Sequence, residues 1–204
     1  VPVPLTTLLP NDTWQYMIED SRAEAVVISG ELYERARPML EAIGRSRHLH
    51  VIVTGRQSDQ SVLGLDPLLA GSEPEARPAE THADEIAFWL YSSGSTGMPK
   101  GARHVHASPL ATAKLFGQAV LGMTGNDVIF SAAKLFFAYG LGNGMSFPLS
   151  VGATTVLLPE RPTPESVLGV MRTHNPTIFC GVPTLFAALL SAGPGKGAGS
   201  TRLR

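Results

Sequence analysis

Short apolar segments alternate with segments of helical periodicity along this 204-residue chain. The apolar segments, whose composition is typical of buried strands, cover residues 25–28, 49–53, 86–90, 127–131, 154–158 and 177–180, and an alternating pattern adds a strand over 101–106. Apolar residues three or four positions apart predict helices near Trp14 and over residues 31–43, 108–121, 141–149, 164–174 and 183–190. This alternation predicts an α/β fold of layered, parallel-rich sheets flanked by helices.

Composition and charge narrow the class of protein and of partner. With 44% hydrophobic and 16% charged residues, the chain has the composition of a folded protein. Its net charge of -1 gives no electrostatic reason to expect nucleic acid or a membrane surface as partner. No apolar run approaches the roughly 18 residues of a membrane-spanning helix. A single cysteine, Cys180, excludes an internal disulfide and favours a cytoplasmic location.

Three stretches depart from the alternation and define the predicted organisation. Residues 55–81 mix glycine, proline, serine and acids, which predicts a surface excursion within one domain spanning 1–190; an interdomain linker is the alternative. Residues 191–204 are glycine-rich without apolar periodicity, which predicts a disordered end. Because the chain starts at Val1 without methionine or a basic leader, we expect a piece of a longer protein.

The segment after the third predicted strand concentrates groups that bind anions. Residues 91–101 read Y-S-S-G-S-T-G-M-P-K-G, and the glycines permit the positive φ angles and close backbone approach of an N–H nest. Hydroxyl and ammonium donors come from Ser92, Ser93, Ser95, Thr96 and Lys100. These donors suit phosphate oxygens, and ligands of α/β sheets bind at strand carboxyl ends. The alternative is a surface turn without a ligand.

The spacing within this loop excludes three common loop types. A Walker A loop places glycine directly before lysine, whereas two residues separate Gly97 from Lys100 and a glycine follows the lysine. A nucleophile elbow requires G-x-S-x-G, and this loop reads G-S-T-G instead. The G-x-G-x-x-G pattern of dinucleotide-binding loops does not occur in it. A phosphate-binding loop of another kind therefore fits best.

Residues 92–101 resemble the phosphate loop of the adenylate-forming, or AMP-binding, superfamily of acyl-CoA synthetases, luciferases and peptide-synthetase adenylation domains. They match its pattern S/T-S/T-G-S/T-T-G-x-P-K-G at all ten positions. Residues 135–141, L-F-F-A-Y-G-L, resemble the superfamily's aromatic substrate segment and are most similar to that of benzoate–CoA ligases. Many members have histidine where this chain has Phe137. The chain is thus identified as part of the large N-terminal domain of an adenylate-forming enzyme.

The resemblance implies a two-step reaction that uses ATP, Mg²⁺ and coenzyme A. Benzoate or a close aromatic acid attacks the α-phosphate of ATP to give an acyl-adenylate, and coenzyme A then displaces AMP to give a thioester. The resemblance assigns the β- and γ-phosphates to Ser92, Ser93, Gly94, Ser95, Thr96, Gly97 and Lys100, with Thr96 also a candidate Mg²⁺ contact. It assigns the wall of the aryl pocket to Ala138 and Tyr139, although aromatic residues at this spacing also fit a buried core.

The resemblance leaves several functions open. The family's adenine and ribose motifs and its C-terminal lysine do not occur in this sequence, so we assign no catalytic residue and expect the chain alone to be inactive. Alternatives to the aryl-CoA ligase are an adenylating enzyme with another acyl acceptor, such as a carrier protein, and a non-catalytic phosphate-binding α/β fragment. Expected partners are small molecules, and the parent enzyme is a candidate homodimer. His104 and His106 lack a nearby third ligand, so we expect no metal site there.

Overall fold

Strands and helices alternate through residues 1–55, 62–74, 77–92, 97–193 and 199–204, the parts that this computed structural model describes. The strands are β1 (Ala25–Ser29), β2 (His50–Thr54), β3 (Leu63–Gly64), β4 (Ile86–Ser92), β5 (Lys100–Val105), β6 (Val128–Ser131), β7 (Thr154–Leu157) and β8 (Ile178–Cys180). The α-helices are α1 (Asn11–Asp20), α2 (Gly30–Ser46), α3 (Leu65–Ala70), α4 (Ala107–Thr112), α5 (Ala138–Leu141), α6 (Phe147–Val151), α7 (Pro164–His174) and α8 (Pro183–Ser191). The predicted α/β class is confirmed. Within these ranges, none of the helices is both long and apolar enough to cross a membrane.

The strands form two parallel sheets and one strand pair. The first sheet has the order β1-β2-β3 and the last has the order β7-β6-β8, with every described pairing in them parallel. β4 pairs with β5. The chain divides into two compact units. The first contains Val1–Thr81 and Tyr91–Arg103, and the second contains His82–Leu90 and His104–Arg204. The domain over 1–190 stays a prediction.

The core of the first unit forms between its helices and the sheet β1-β2-β3. Apolar residues of α2 recur at helical spacing and bury one face of that helix, namely Tyr33, Ala36, Met39, Leu40 and Ile43. They pack with Trp14 of α1 and Val53 of β2. Val62 joins the same cluster, and β3 pairs with β2, although both lie in the region 55–81. Pairing with β2 positions β3, whose two residues are too few to show the alternation of a strand.

The second unit is built around β6, which is buried on both faces. Ile129 packs in one apolar cluster and Phe130 in another, and both side chains are fully buried. Successive strand residues point to opposite faces, so β6 separates two apolar layers. The helix α7 in the second layer begins with a capping box in which Thr163 and Ser166 satisfy each other's backbone N–H groups.

Two predicted helices contain π-helical segments. The segment Ala113–Gln118 follows α4, and Gly142–Ser146 lies between α5 and α6. Both have a glycine against Phe147: a Cβ on Gly117 would lie 3.0 Å from the Phe147 Cβ, and a Cβ on Gly142 would lie 2.9 Å from its Cζ. The ring of Phe147 therefore occupies space that only glycine leaves free on the two facing segments.

The region predicted as a disordered end is described in part. Ser191 ends α8, and residues 194–198 lie outside the described residues. Beyond them, Thr201 N–H donates to Asn175 Oδ1 at 2.9 Å, and Arg204 Nη2 lies 2.8 Å from Asp127 Oδ2. Hydrogen bonds thus attach residues 199–204 to the rest of the second unit, next to the start of β6.

Candidate functional site

β4 and β5 place the two described sides of the predicted phosphate loop. Ser92 is the last residue of β4, Lys100 is the first residue of β5, and both are exposed. Gly97 has φ +139°, which residues with a side chain rarely adopt. The central residues of the loop, Ser93, Gly94, Ser95 and Thr96, lie outside the described residues. The first unit thus carries a strand end, a glycine of unusual φ and an exposed ammonium along one loop.

Tyr91, next to this loop, is fixed to the first helix. Its hydroxyl donates to Asp20 Oδ2 at 2.6 Å and lies 3.3 Å from the carbonyl oxygen of Met17. Burial raises the pKa of Tyr91 above its ordinary value, and the hydrogen bond to Asp20 and that carboxylate's charge raise it further. Tyr91 therefore stays a neutral donor that anchors the end of β4. Sequence reasoning missed this contact because the partners are 71 residues apart.

The predicted aromatic segment, residues 135–141, consists of the end of the turn after β6 and the helix α5, in the second unit. Phe137 and Tyr139 are 49% and 46% exposed, and Ala138 is exposed as well. Phe136 is half-buried, with its ring centroid 4.6 Å from that of Phe137. Residues 137–139 therefore line a surface of this unit, which differs from the buried-core alternative that the sequence left open.

The hydroxyl of Tyr139 is held at the end of β8. It donates to the carbonyl oxygen of Gly181 at 3.1 Å. A Cβ on Gly181 would lie 3.2 Å from ring atoms of Phe186 and 3.3 Å from the ring of Phe179. The rings of Phe179 and Phe186 thus flank Gly181, and the hydrogen bond to this glycine restrains the half-exposed ring of Tyr139. Such a platform suits a planar apolar ligand.

Cys180 lies beside this platform as a neutral thiol. Burial raises its pKa to about 11, and the nearby hydroxyl of Tyr139 only partly offsets that effect. Burial also raises the pKa of Tyr139, and the nearby Cys180 contributes to the same shift. Because the thiol stays protonated at neutral pH, it is a packing residue rather than a nucleophile.

Two residues that the sequence did not single out shape the aromatic segment. Lys134 Nζ donates to the backbone carbonyls of Leu158, Pro159 and Glu160. Gly140 is packed so closely that a Cβ there would lie 2.7 Å from the Lys134 carbonyl carbon and 2.9 Å from the Ala133 oxygen. The motif itself gives a weak signal for Gly140, since a glycine ends the aromatic run, but gives none for Lys134.

The two histidines after the loop have different surroundings. The ring of His104 stacks on Phe88 with centroids 4.8 Å apart. His106 precedes α4 at the N-cap position, where its side chain makes no capping hydrogen bond. In the described part of the chain, no group of three or more His, Cys, Asp or Glu residues is arranged to hold a metal ion.

Known proteins that are similar to this chain include several ligases of aromatic acids. The model of the AMP-binding enzyme family matches residues 1–204. The chain is 48% identical over 204 residues to benzoate–CoA ligase of Thauera aromatica, covering 100% of this chain and 38% of that protein. It is 48% identical over 192 residues to 4-hydroxybenzoate–CoA/benzoate–CoA ligase of Rhodopseudomonas palustris, covering 94% and 35%.

A solved structure agrees with the sequence comparisons. A benzoate CoA ligase from Burkholderia xenovorans LB400 matches with a TM-score of 0.83 and 42% identity, over 98% of this chain and 38% of that one. The chain therefore spans between a third and two fifths of the length of these relatives. The predicted family resemblance is confirmed along the full 204 residues, and the chain belongs to the AMP-binding enzyme family.

Proposed function

We propose that this chain supplies part of the ATP and aromatic-acid sites of an AMP-forming aryl-CoA ligase. Its substrates are benzoate or a close analogue, ATP with Mg²⁺, and coenzyme A. The observation that carries the proposal is the half-exposed ring of Tyr139, fixed on Gly181, in a chain that is 48% identical to a protein named benzoate–CoA ligase. A planar aromatic acid is the ligand class that such a platform suits.

The loop between β4 and β5 binds the β- and γ-phosphates in this proposal. Ser92, Gly97 and Lys100 contribute from its described sides, and residues 93–96 contribute from its centre on the strength of the motif. The exposed ammonium of Lys100 acts as an electrostatic clamp that stabilises the charge on the departing pyrophosphate. Mg²⁺ bound to ATP disperses the same charge. Thr96, its candidate contact, lies outside the described residues.

The reaction forms and breaks one bond in each step. A carboxylate oxygen of the acid bonds to the α-phosphorus of ATP, and the bond from that phosphorus to the bridging oxygen breaks, so that pyrophosphate leaves with the electron pair. The thiolate sulfur of coenzyme A then bonds to the acyl carbon, and the bond between that carbon and the AMP oxygen breaks. The described residues hold the reactants in place, which lowers the entropic part of the barrier.

The aromatic acid packs against residues 137–139 in this proposal. The ring lies against Tyr139, whose hydroxyl is already engaged by Gly181, and the methyl group of Ala138 leaves room for it. Since one end of Tyr139 is fixed, binding a substrate costs little additional side-chain entropy.

ATP–pyrophosphate exchange in the complete enzyme that contains this chain tests the proposal. We expect exchange that depends on benzoate and is much weaker with cyclohexanecarboxylate, which has a similar size but no planar ring. Absence of benzoate-dependent exchange would contradict the aromatic-acid assignment. Thioester formation with coenzyme A then separates the aryl-CoA ligase from an adenylating enzyme that uses another acyl acceptor.

A further inference from the structure

The ammonium group of Lys134 donates hydrogen bonds to three consecutive residues of one loop of the second unit. Nζ lies 2.5 Å from the carbonyl oxygen of Leu158, 3.0 Å from that of Pro159 and 2.7 Å from that of Glu160. An ammonium group has three N–H donors, so three consecutive carbonyls match it completely. The ammonium therefore fixes the backbone that follows β7.

The backbone of Lys134 holds the aromatic segment at the same time. Phe137 N–H donates to the Lys134 carbonyl oxygen at 3.1 Å, and Leu141 N–H donates to the Phe137 carbonyl oxygen at 2.8 Å. Gly140 packs directly on the Lys134 carbonyl group. Residues 134–140, a turn that runs into the first residues of α5, are therefore held together by these contacts, with Ala138 and Tyr139 exposed.

The environment of Lys134 differs from that of an ordinary surface lysine. The residue is half-buried, and desolvation lowers the pKa of its ammonium while the charge of Glu160 acts in the opposite direction. Partial burial of a cation costs free energy unless charge-assisted hydrogen bonds offset it. The three hydrogen bonds to backbone carbonyls offset this cost and hold the ammonium in one position.

We infer that Lys134 is a positioning residue of the aryl site, which ties the turn 134–140 to residues 158–160 and so fixes the surface formed by Ala138 and Tyr139. The inference rests on the proposed function of that surface. All the described partners of Lys134 belong to the second unit, whereas the predicted phosphate ligands belong to the first. Lys134 therefore affects binding of the aromatic acid and leaves binding of ATP unchanged.

Steady-state kinetics of the complete enzyme tests the effect on the substrate. Lys134→Met keeps the aliphatic length but removes all three donors, and it should raise KM for benzoate about tenfold while KM for ATP changes less than about twofold. Lys134→Arg should recover part of the loss, because its charge remains but a planar fork does not fit three consecutive carbonyls on one nitrogen. Lys114→Met, which removes an exposed lysine of the same unit, serves as the matched control. An unchanged KM for benzoate, or equal rises for both substrates, would overturn the inference.

Hydrogen exchange of the complete enzyme without substrates gives a readout that does not depend on activity. Lys134→Met should speed exchange of the Phe137 and Leu141 amides about tenfold and leave the Thr177 amide, which donates to Val128 within the sheet region, unchanged. Lys134→Arg takes its place if the methionine variant is insoluble, with a smaller increase expected. Wild-type exchange at both amides would overturn the inference. If the variant exchanges faster but the wild-type enzyme shows no benzoate-dependent activity, the structural role of Lys134 stands and only the proposed function is contradicted.

Discussion

Lys100 combines a fixed place in a ten-residue motif with an exposed position at the start of β5. Pro99 restricts the backbone before it, and Lys100 itself begins β5, so the ammonium projects from a defined point. Lys100 is exposed and is not part of the described apolar core, so its charge can be removed without disturbing core packing. A substitution of this residue therefore tests the predicted phosphate contact directly.

Replacement of Lys100 by alanine should reduce turnover without affecting folding. In the complete enzyme we expect kcat/KM for ATP to fall about 100-fold, since one fixed charge that stabilises the transferring phosphates is lost. Lys100→Arg keeps the charge and should lose less activity. Steady-state kinetics and the apparent melting temperature measure the two effects. A lower melting temperature with unchanged turnover would assign Lys100 a structural role instead.

The small side chain of Ala138 is predicted to make room for the substrate ring. Ala138→Phe should raise KM for benzoate at least about tenfold and leave KM for ATP unchanged, because the added ring occupies the same surface. Ala111→Phe adds the same ring at an exposed position of α4 and is the control. Steady-state kinetics measures the two KM values, and calorimetric titration measures the affinity for benzoate. Unchanged benzoate affinity in the Ala138 variant would remove this residue from the pocket.

At the scale of the element, the short helix α5 depends on close packing of its backbone against the turn that follows β6. Gly140 lies against the carbonyl groups of Ala133 and Lys134, so this position excludes any side chain. This packing fixes the start of α5 at Ala138. The shape of the aromatic surface is therefore a property of the whole turn, and Tyr139 alone does not create it.

Gly140→Ala should destabilise the second unit, and a matched glycine should not. The added Cβ would lie 2.7 Å from a backbone carbonyl carbon, and we expect a cost of about 2 kcal/mol or more because backbone must shift. A Cβ on Gly169, inside α7, would lie within 4 Å of no described atom beyond its chain neighbours and the backbone of its own helix, so Gly169→Ala should stabilise the helix by about 0.5–1 kcal/mol. Melting temperatures of both variants of the complete enzyme test this pair. Equal shifts in the two variants would disprove the close-packing argument.

At the scale of the whole molecule, a buried carboxylate links distant parts of the second unit. Asp127 accepts hydrogen bonds from Thr124 N–H at 2.7 Å, from Thr177 Oγ1 at 2.7 Å and from Arg204 Nη2 at 2.8 Å. The last of these contacts joins residues 77 positions apart. Burial alone would raise the pKa of Asp127, but the hydrogen bonds from Arg204, Thr177 and Thr124 outweigh it and hold the pKa well below its ordinary value.

The depressed pKa of Asp127 makes the stability of this region sensitive to acid. A group with a lower pKa in the folded state stabilises that state above its unfolded pKa, near pH 4, and loses the contribution as the pH falls toward the folded pKa. Asp127→Asn should therefore lower the melting temperature at pH 7 and show a smaller drop between pH 5 and pH 3 than the wild type. Melting curves at several pH values in this range measure the difference. Parallel pH profiles for the two proteins would contradict the proposed linkage.

Local residue order was enough to predict several elements and the family. α7 runs from Pro164 to His174 as predicted, because Thr163 and Ser166 cap its start and Asn175 ends it in a left-handed conformation. β6 and β7 were predicted within one residue, since their apolar runs are bounded by turns. The ten-residue loop identified the superfamily, because the residue types that suit phosphate stand next to one another in the sequence.

Tertiary structure alone decided the contacts between segments that are distant in sequence. Three features have no local signal, because each depends on a group far away in the sequence. They are the packing of Gly117 against Phe147, the pairing of β3 with β2, and the partners of Tyr91 and Lys134. The sequence by itself determined the α/β class and the chemistry of the loop, which follow from periodicity and from neighbouring residue types. The folded chain determined which side chains are exposed, which are held and by what, because burial and hydrogen bonding require partners that only packing brings together.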